Sequence, residues 1–205
     1  MTDVAIVDSG GANIASLRYA LDRLGASSEL TTDAATLRGA ARVILPGVGN
    51  ASDAMARLRV LRLDSVIRAL TQPVLGICLG MQLLFQSSEE GGDDGATDCL
   101  GVVDGTVRRL SGNRERPIPH MGWNQLQFTA TTPLFAGLAN GVHMYFVHGY
   151  AAPVGRWTQA TTAYGESFTA VFAERNFCGT QFHPERSAHG GSQLLANFLQ
   201  LGRCA

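Results

Sequence analysis

Lysine is missing: all 16 basic residues of the 205-residue chain are arginine. That absence excludes Schiff-base chemistry on a lysine, a Walker-A phosphate loop and a kinase-type lysine. Positive charge is not concentrated into a block either, and 16 basic residues against 17 acidic ones leave a net charge of −1. A nucleic-acid partner is therefore not expected, because binding a phosphate backbone needs clustered cations. No apolar run reaches the roughly 18–20 residues that a membrane span requires. The opening MTDVAIVDSGG lacks the basic and apolar regions of a signal peptide. The four cysteines, Cys78, Cys99, Cys178 and Cys204, make no CxxC pair and no metal-ligand spacing with histidine. The expectation is a cytoplasmic chain without a membrane partner, a disulfide framework, a metal or an organic cofactor.

Material for a core is ample, with 45% hydrophobic and 16% charged residues, and no repeat or long linker divides the chain. A single domain over residues 1–205 is expected. Its first half alternates buried-strand patterns with helical ones. Val4–Val7, Ser28–Thr31, Arg42–Leu45 and Val74–Ile77 read as strands. Ile14, Leu17, Leu21 and Leu24 fall at helical spacing between a possible Asn13 cap and Gly25. Two helical stretches run from the Pro46–Asn50 loop to about Leu70, and Leu79–Phe85 reads as a helix behind the fourth strand. This alternation implies an α/β fold with a mostly parallel central sheet flanked by helices. From Leu100 to about Gln181, short strands between Gly, Pro and Asn turns suggest an antiparallel extension of that sheet. Gln86–Asp98 reads as an exposed loop and Ser192–Leu201 as a closing helix.

Chemistry concentrates in two places. Gly76-Ile77-Cys78-Leu79-Gly80 sets a cysteine between two glycines where a strand turns into a helix. Such an elbow lifts its side chain above the sheet, and the small neighbours would leave room for a substrate. The helix start behind it favours a thiolate, and the N–H of Leu79 faces the place where an oxyanion would form. A thiol nucleophile also needs a base and a group that orients the base. Gln181-Phe182-His183-Pro184-Glu185 offers an imidazole and a carboxylate two residues apart, which face the same side in an extended segment.

The elbow with its following Met81-Gln82, taken together with the distal Gln-Phe-His-Pro-Glu segment, resembles the class I glutamine amidotransferase family. Leu45–Gly49, Pro119–Asn124 and Tyr145–Tyr150 narrow the resemblance to the glutaminases of histidine biosynthesis. The resemblance implies that glutamine is hydrolysed at a triad of Cys78, His183 and Glu185. The oxyanion would be met by backbone N–H groups of Leu79 and of the loop at Val48 and Gly49. Gly47, Gln82 and His148 would contact substrate, although structural packing is an equal reading for His148. Ammonia would pass to a separate cyclase subunit of (β/α)8-barrel type in a heterodimer, contacted by Asn13, Met121, Trp123 and Asn124. The Pro46–Gly49 loop would act as an activation switch. Rival readings are a glutaminase serving pyridoxal phosphate synthase and a non-catalytic amidotransferase-like module. His143 is expected half-buried in a strand, His189 in a solvated loop and His120 toward the partner; Cys99, Cys178 and Cys204 are expected to be structural.

Overall fold

The computed structural model describes residues 3–10, 14–91, 95–202 and 204. In chain order the elements are β1 (Val4–Val7), α1 (Ile14–Arg23), β2 (Ser28–Thr31), α2 (Ala34–Gly39), β3 (Arg42–Gly47), α3 (Ala51–Val60), α4 (Leu63–Arg68), β4 (Val74–Cys78) and α5 (Leu79–Gln82). There follow β5 (Phe85–Ser88), β6 (Thr97–Asp98), β7 (Val103–Arg109), β8 (His120–Gln125), β9 (Gln127–Phe128), β10 (His143–His148) and β11 (Tyr150–Ala151). The last are β12 (Thr158–Tyr164), β13 (Glu166–Glu174), β14 (Phe177–Thr180) and α6 (Ala188–Gln200). Eight strands form the central sheet in the order β2-β1-β3-β4-β14-β13-β12-β9. The five from β2 to β14 are parallel, and β13, β12 and β9 continue it antiparallel.

The inner parallel strands β1, β3 and β4 are almost wholly apolar because both of their faces are covered, whereas the edge strand β2 is Ser-Glu-Leu-Thr and largely exposed. In β1, Val4 and Ile6 join the core shared with Leu17 and Leu21 of α1 and Leu194, Leu195 and Phe198 of α6. Ala5 and Val7 face the opposite core, with Leu37 of α2, Met55 and Leu58 of α3 and Ile67 of α4. The parallel strand ends then meet at one edge, where ligands bind in open α/β sheets. Cys78 and Thr180, the last residues of β4 and β14, stand there side by side, since Thr180 pairs with Ile77. Among the described residues no helix is long and apolar enough to cross a membrane.

Several expectations need correcting. The helix behind Cys78 stops at Gln82, and Phe85 opens β5. Leu83, Leu84 and Phe85 are all fully buried, so their apolar run carries no period that separates helix from strand. The supposed loop Gln86–Asp98 begins and ends in strand, with Ser87 opposite Asp98 and Ser88 opposite Thr97. Only part of the antiparallel half extends the main sheet. β8 and β10 form a separate two-stranded ribbon, and β11, β7, β5 and β6 a separate four-stranded sheet. α2 was not foreseen, although Asp33 caps it by accepting the Thr36 N–H at 2.7 Å. α6 begins at Ala188, four residues earlier than expected. Asn13, expected to cap α1, lies outside the described residues.

Candidate active site

Cys78 ends β4 with φ 54° and ψ −112°, a conformation that L-residues adopt only under strain. Backbone packing holds it there. A Cβ on Gly80 would lie 1.8 Å from the Leu45 carbonyl oxygen, and one on Gly76 2.7 Å from the Met81 Cα. The elbow glycines therefore exist to seat α5 against β3 and β4, not to make room for substrate. α5 is a single turn, so its dipole is short. As its first residue, Leu79 still has an N–H with no partner inside the helix.

His183 and Glu185 follow β14, the neighbour of β4. The segment is extended only as far as His183, at φ −97° and ψ 98°; Pro184–Arg186 is a 3-10 turn, where the sequence suggested an extended run through Glu185. Pro184 fits the first position of such a turn, where no N–H is needed. The turn still closes the dyad, with His183 Nδ1 2.8 Å from Glu185 Oε1. Glu185 Oε2 is buried without a hydrogen-bond partner among the described residues, so no other donor competes for the carboxylate. The turn is tied to β10, for His183 N–H donates to the Tyr145 carbonyl and Ser187 Oγ accepts from Tyr145 N–H, each at 2.9 Å. Burial pushes the His183 pKa down, but interaction with Cys78 and with Glu185 outweighs it and raises the value to about 10. The imidazolium is thus the favoured form beside the sulfur. The Cys78 Sγ itself lies 3.7 Å from the Val147 carbonyl oxygen.

A cavity of about 280 Å³ opens over the thiol, lined by Val48, Gly49, Leu79, Gln82, Glu90 and His183 together with the segment from Val147 of β10 to Tyr150 of β11. That is at the small end of ligand sites and suits an amino acid better than a cofactor. Val48 and Gly49 line the same cavity as Leu79. Gly47 does not line this cavity. It pairs with Cys78 beneath it, and a Cβ there would meet Gly80 N at 2.7 Å. Gln82 does line it, but its Nε2 is committed to Tyr150 O at 2.8 Å and Gln181 Oε1 at 3.0 Å. Its carbonyl oxygen is what it can offer a ligand. His148 is both a lining residue and a packed one, 6% exposed, with Nδ1 2.8 Å from Tyr150 O.

Sequence reasoning missed Glu90. Its carboxylate lines the cavity, half-buried, and accepts the Ala51 N–H at 2.9 Å, and burial raises its pKa. The only signal was an acidic pair, Glu89-Glu90, in a stretch read as solvated loop.

The residues expected at a partner surface separate. Met121 and Trp123 are 66% and 52% exposed on one face of β8. Trp123 meets Tyr145 edge-on, and the Arg186 guanidinium lies 4.6 Å from the Tyr145 ring centre, so this surface runs directly into the Glu185 turn. Asn124 alternates to the other face, where its Nδ2 bonds His120 Nε2 and the Ala163 carbonyl. Asn13 lies outside the described residues. His120 does not face outward: it is buried, stacked between Phe146 and Tyr164. His143 is exposed rather than half-buried, and His189 is exposed on α6 rather than in a loop. Cys99, Cys178 and Cys204 are buried free thiols, and burial pushes Cys99 up to about 12.

A strained cysteine elbow facing a carboxylate-held histidine at the end of a parallel sheet is the layout of a thiol-dependent acyl-transfer enzyme. The family profile "Glutamine amidotransferase class-I" matches residues 5–201, and the chain belongs to that family. Its curated relatives are more particular. Over 201 residues, covering 98% of each chain, it is 54% identical to the imidazole glycerol phosphate synthase subunit HisH of Xanthomonas axonopodis pv. citri (strain 306). It is 50% identical, over the same shares, to the subunit of that name from Xylella fastidiosa (strain Temecula1 / ATCC 700964). Among solved structures a glutamine amidotransferase superposes with a TM-score of 0.73 at 19% identity, covering 98% of both chains, which supports the fold.

Proposed function

We infer that this chain is the glutaminase subunit of an imidazole glycerol phosphate synthase, hydrolysing glutamine to glutamate and ammonia. The observation that carries the chemistry is the His183–Glu185 contact at 2.8 Å, beside a strained cysteine on the wall of one cavity. Cys78 attacks the side-chain amide carbon of glutamine. The oxyanion is received by the N–H of Leu79 and by one from the Val48–Gly49 loop, donors worth about 10²–10³ each in rate. His183 carries the thiol proton, delivers it to the departing ammonia and then takes a proton from the water that cleaves the glutamyl thioester. Glu185 holds the ring in the tautomer that presents Nε2 to the reaction. Glu90 is a half-buried carboxylate with no ion-pair partner among the described residues, and the α-ammonium of glutamine supplies one. Gln82 Oε1 accepts from the same ammonium.

Ammonia is consumed by a cyclase subunit of (β/α)8-barrel type, which makes imidazole glycerol phosphate and AICAR in histidine biosynthesis. Residues 1–205 act as one amidotransferase domain in the cytoplasm. The exposed Met121–Trp123 face beside the Glu185 turn is the docking surface for the cyclase. Incubation with a diazoketone analogue of glutamine, in the presence of the cyclase, should label Cys78 alone in a peptide map. Labelling elsewhere, or glutamate release that survives Cys78→Ala, would contradict the assignment.

A further inference from the structure

Cys78 has a second polar neighbour on the side away from the cavity. Gln181 is fully buried one residue beyond β14, and its Nε2 lies 3.9 Å from Cys78 Sγ. The two ends of an amide side chain have the same shape, so the other contacts decide which end meets the sulfur. Here they decide it without ambiguity. The Tyr150 carbonyl can only accept, so Gln82 must turn its nitrogen to it, at 2.8 Å. The same nitrogen lies 3.0 Å from Gln181, whose oxygen must therefore face Gln82. That leaves the Gln181 N–H for Cys78.

The Tyr150 carbonyl also fixes a second line of groups. It receives Nδ1–H of His148 at 2.8 Å, which makes His148 Nε2 an acceptor. His120 Nδ1–H donates to that nitrogen at 2.9 Å, and His120 Nε2 then accepts from Asn124 Nδ2 at 3.2 Å. The Asn124 amide is itself oriented, because Gln125 N–H donates to its oxygen at 2.8 Å and its nitrogen reaches Ala163 O at 3.0 Å. This order requires both imidazoles neutral, and burial lowers His148 to about 3 and His120 to about 4.

We propose that Gln181 stabilises the Cys78 thiolate by donating its side-chain N–H to the sulfur, with Gln82 as the positioning residue that holds its amide in that orientation. The proposal rests on Cys78 being the nucleophile. The ionisable groups around the thiol are His183 and, lining the same cavity, His148, Tyr150 and Glu90, with Glu185 behind His183. Gln181 is the neutral donor among them. Reversing its amide would place an oxygen against the sulfur and disfavour the thiolate.

The test is the pH dependence of Cys78 alkylation by iodoacetamide in the full chain, followed on the Cys78 peptide by mass spectrometry. Alkylation reads the thiolate without glutamine turnover. Gln181→Met should move the midpoint upward by about one pH unit, a roughly tenfold slower reaction below it. Gln82→Met removes the donor that fixes the Gln181 oxygen, and should shift the midpoint in the same direction by less. A Gln181→Met protein that melts cooperatively with an unmoved midpoint overturns the proposal. If that variant does not fold, an unmoved midpoint in Gln82→Met overturns it. An unreactive Cys78 in the unaltered chain would instead overturn the nucleophile reading itself, and this proposal with it.

Discussion

Cys78 and Glu185 act on His183 from opposite sides, and both favour its protonated form. With the folded pKa raised to about 10 from the ordinary 6.5, the stability that this proton contributes is fully present below about pH 6.5. It is lost as pH rises through about 10. The same proton leaves with ammonia, so glutamine turnover in the activated complex should fall along an alkaline limb near pH 10 and not near 7. Glu185→Gln should lower turnover on the order of 10⁴-fold by freeing the ring tautomer, and should move that limb to lower pH; both are read from a pH–rate profile of glutamate release. At this scale the triad was legible because each member carries a local signature, a glycine-flanked cysteine and a His-Pro-Glu turn. Glu90 was not legible, since what makes it a site residue is a cavity wall supplied by strands far away in the chain. His120 was misread for a related reason: β8 alternates, and no local feature shows which of its two faces the β10 ribbon buries.

Elements place these residues through backbone contact. α5 reaches β3 so closely that Gly80 has no space for a methyl group, and the Cys78 strain is the outcome of that seating. Gly80→Ala should therefore cost about 3 kcal/mol or more, measured by denaturant unfolding, and should reduce glutaminase activity in whatever folded protein remains. A loss under 1 kcal/mol would mean that the elbow can relax. The glycine pattern announced this turn in the sequence, but not that the helix behind it ends after one turn. Leu83, Leu84 and Phe85 are buried on every side, so hydrophobicity could not show where helix gives way to strand. The β8–β10 ribbon is the other functional element. Its exposed Met121 and Trp123 adjoin Tyr145 and Arg186, one residue from Glu185. Trp123→Ala should weaken the complex with the cyclase by roughly tenfold or more in a binding titration, as loss of a large aromatic anchor does. Unchanged affinity would move the docking surface elsewhere.

For the whole molecule, the parallel half was legible because its strands are short, the inner ones apolar, and each is followed by a helix or turn signal. Division of the second half into three sheets was not. Which of β7 to β13 pair with one another is decided by contacts between residues far apart in the chain, and short strands between turns carry no mark of their partners. That division is what builds the site. β4 and β14 supply the triad, while β10, from a different sheet, closes the cavity over it with Val147 and His148 and carries the docking ribbon on its other edge. With the cyclase docked on the proposed surface, the cavity wall and the partner contact share one ribbon, and the activity of the chain should depend on the cyclase. The most direct measurement is glutamate release from glutamine by the chain alone, with the cyclase, and with the cyclase plus its phosphoribulosyl substrate, each repeated with Cys78→Ala. The predicted result is low release alone, a large rise in the full mixture and its loss on removal of the thiol. Release that is equally fast without the cyclase, or that persists in Cys78→Ala, would contradict the account.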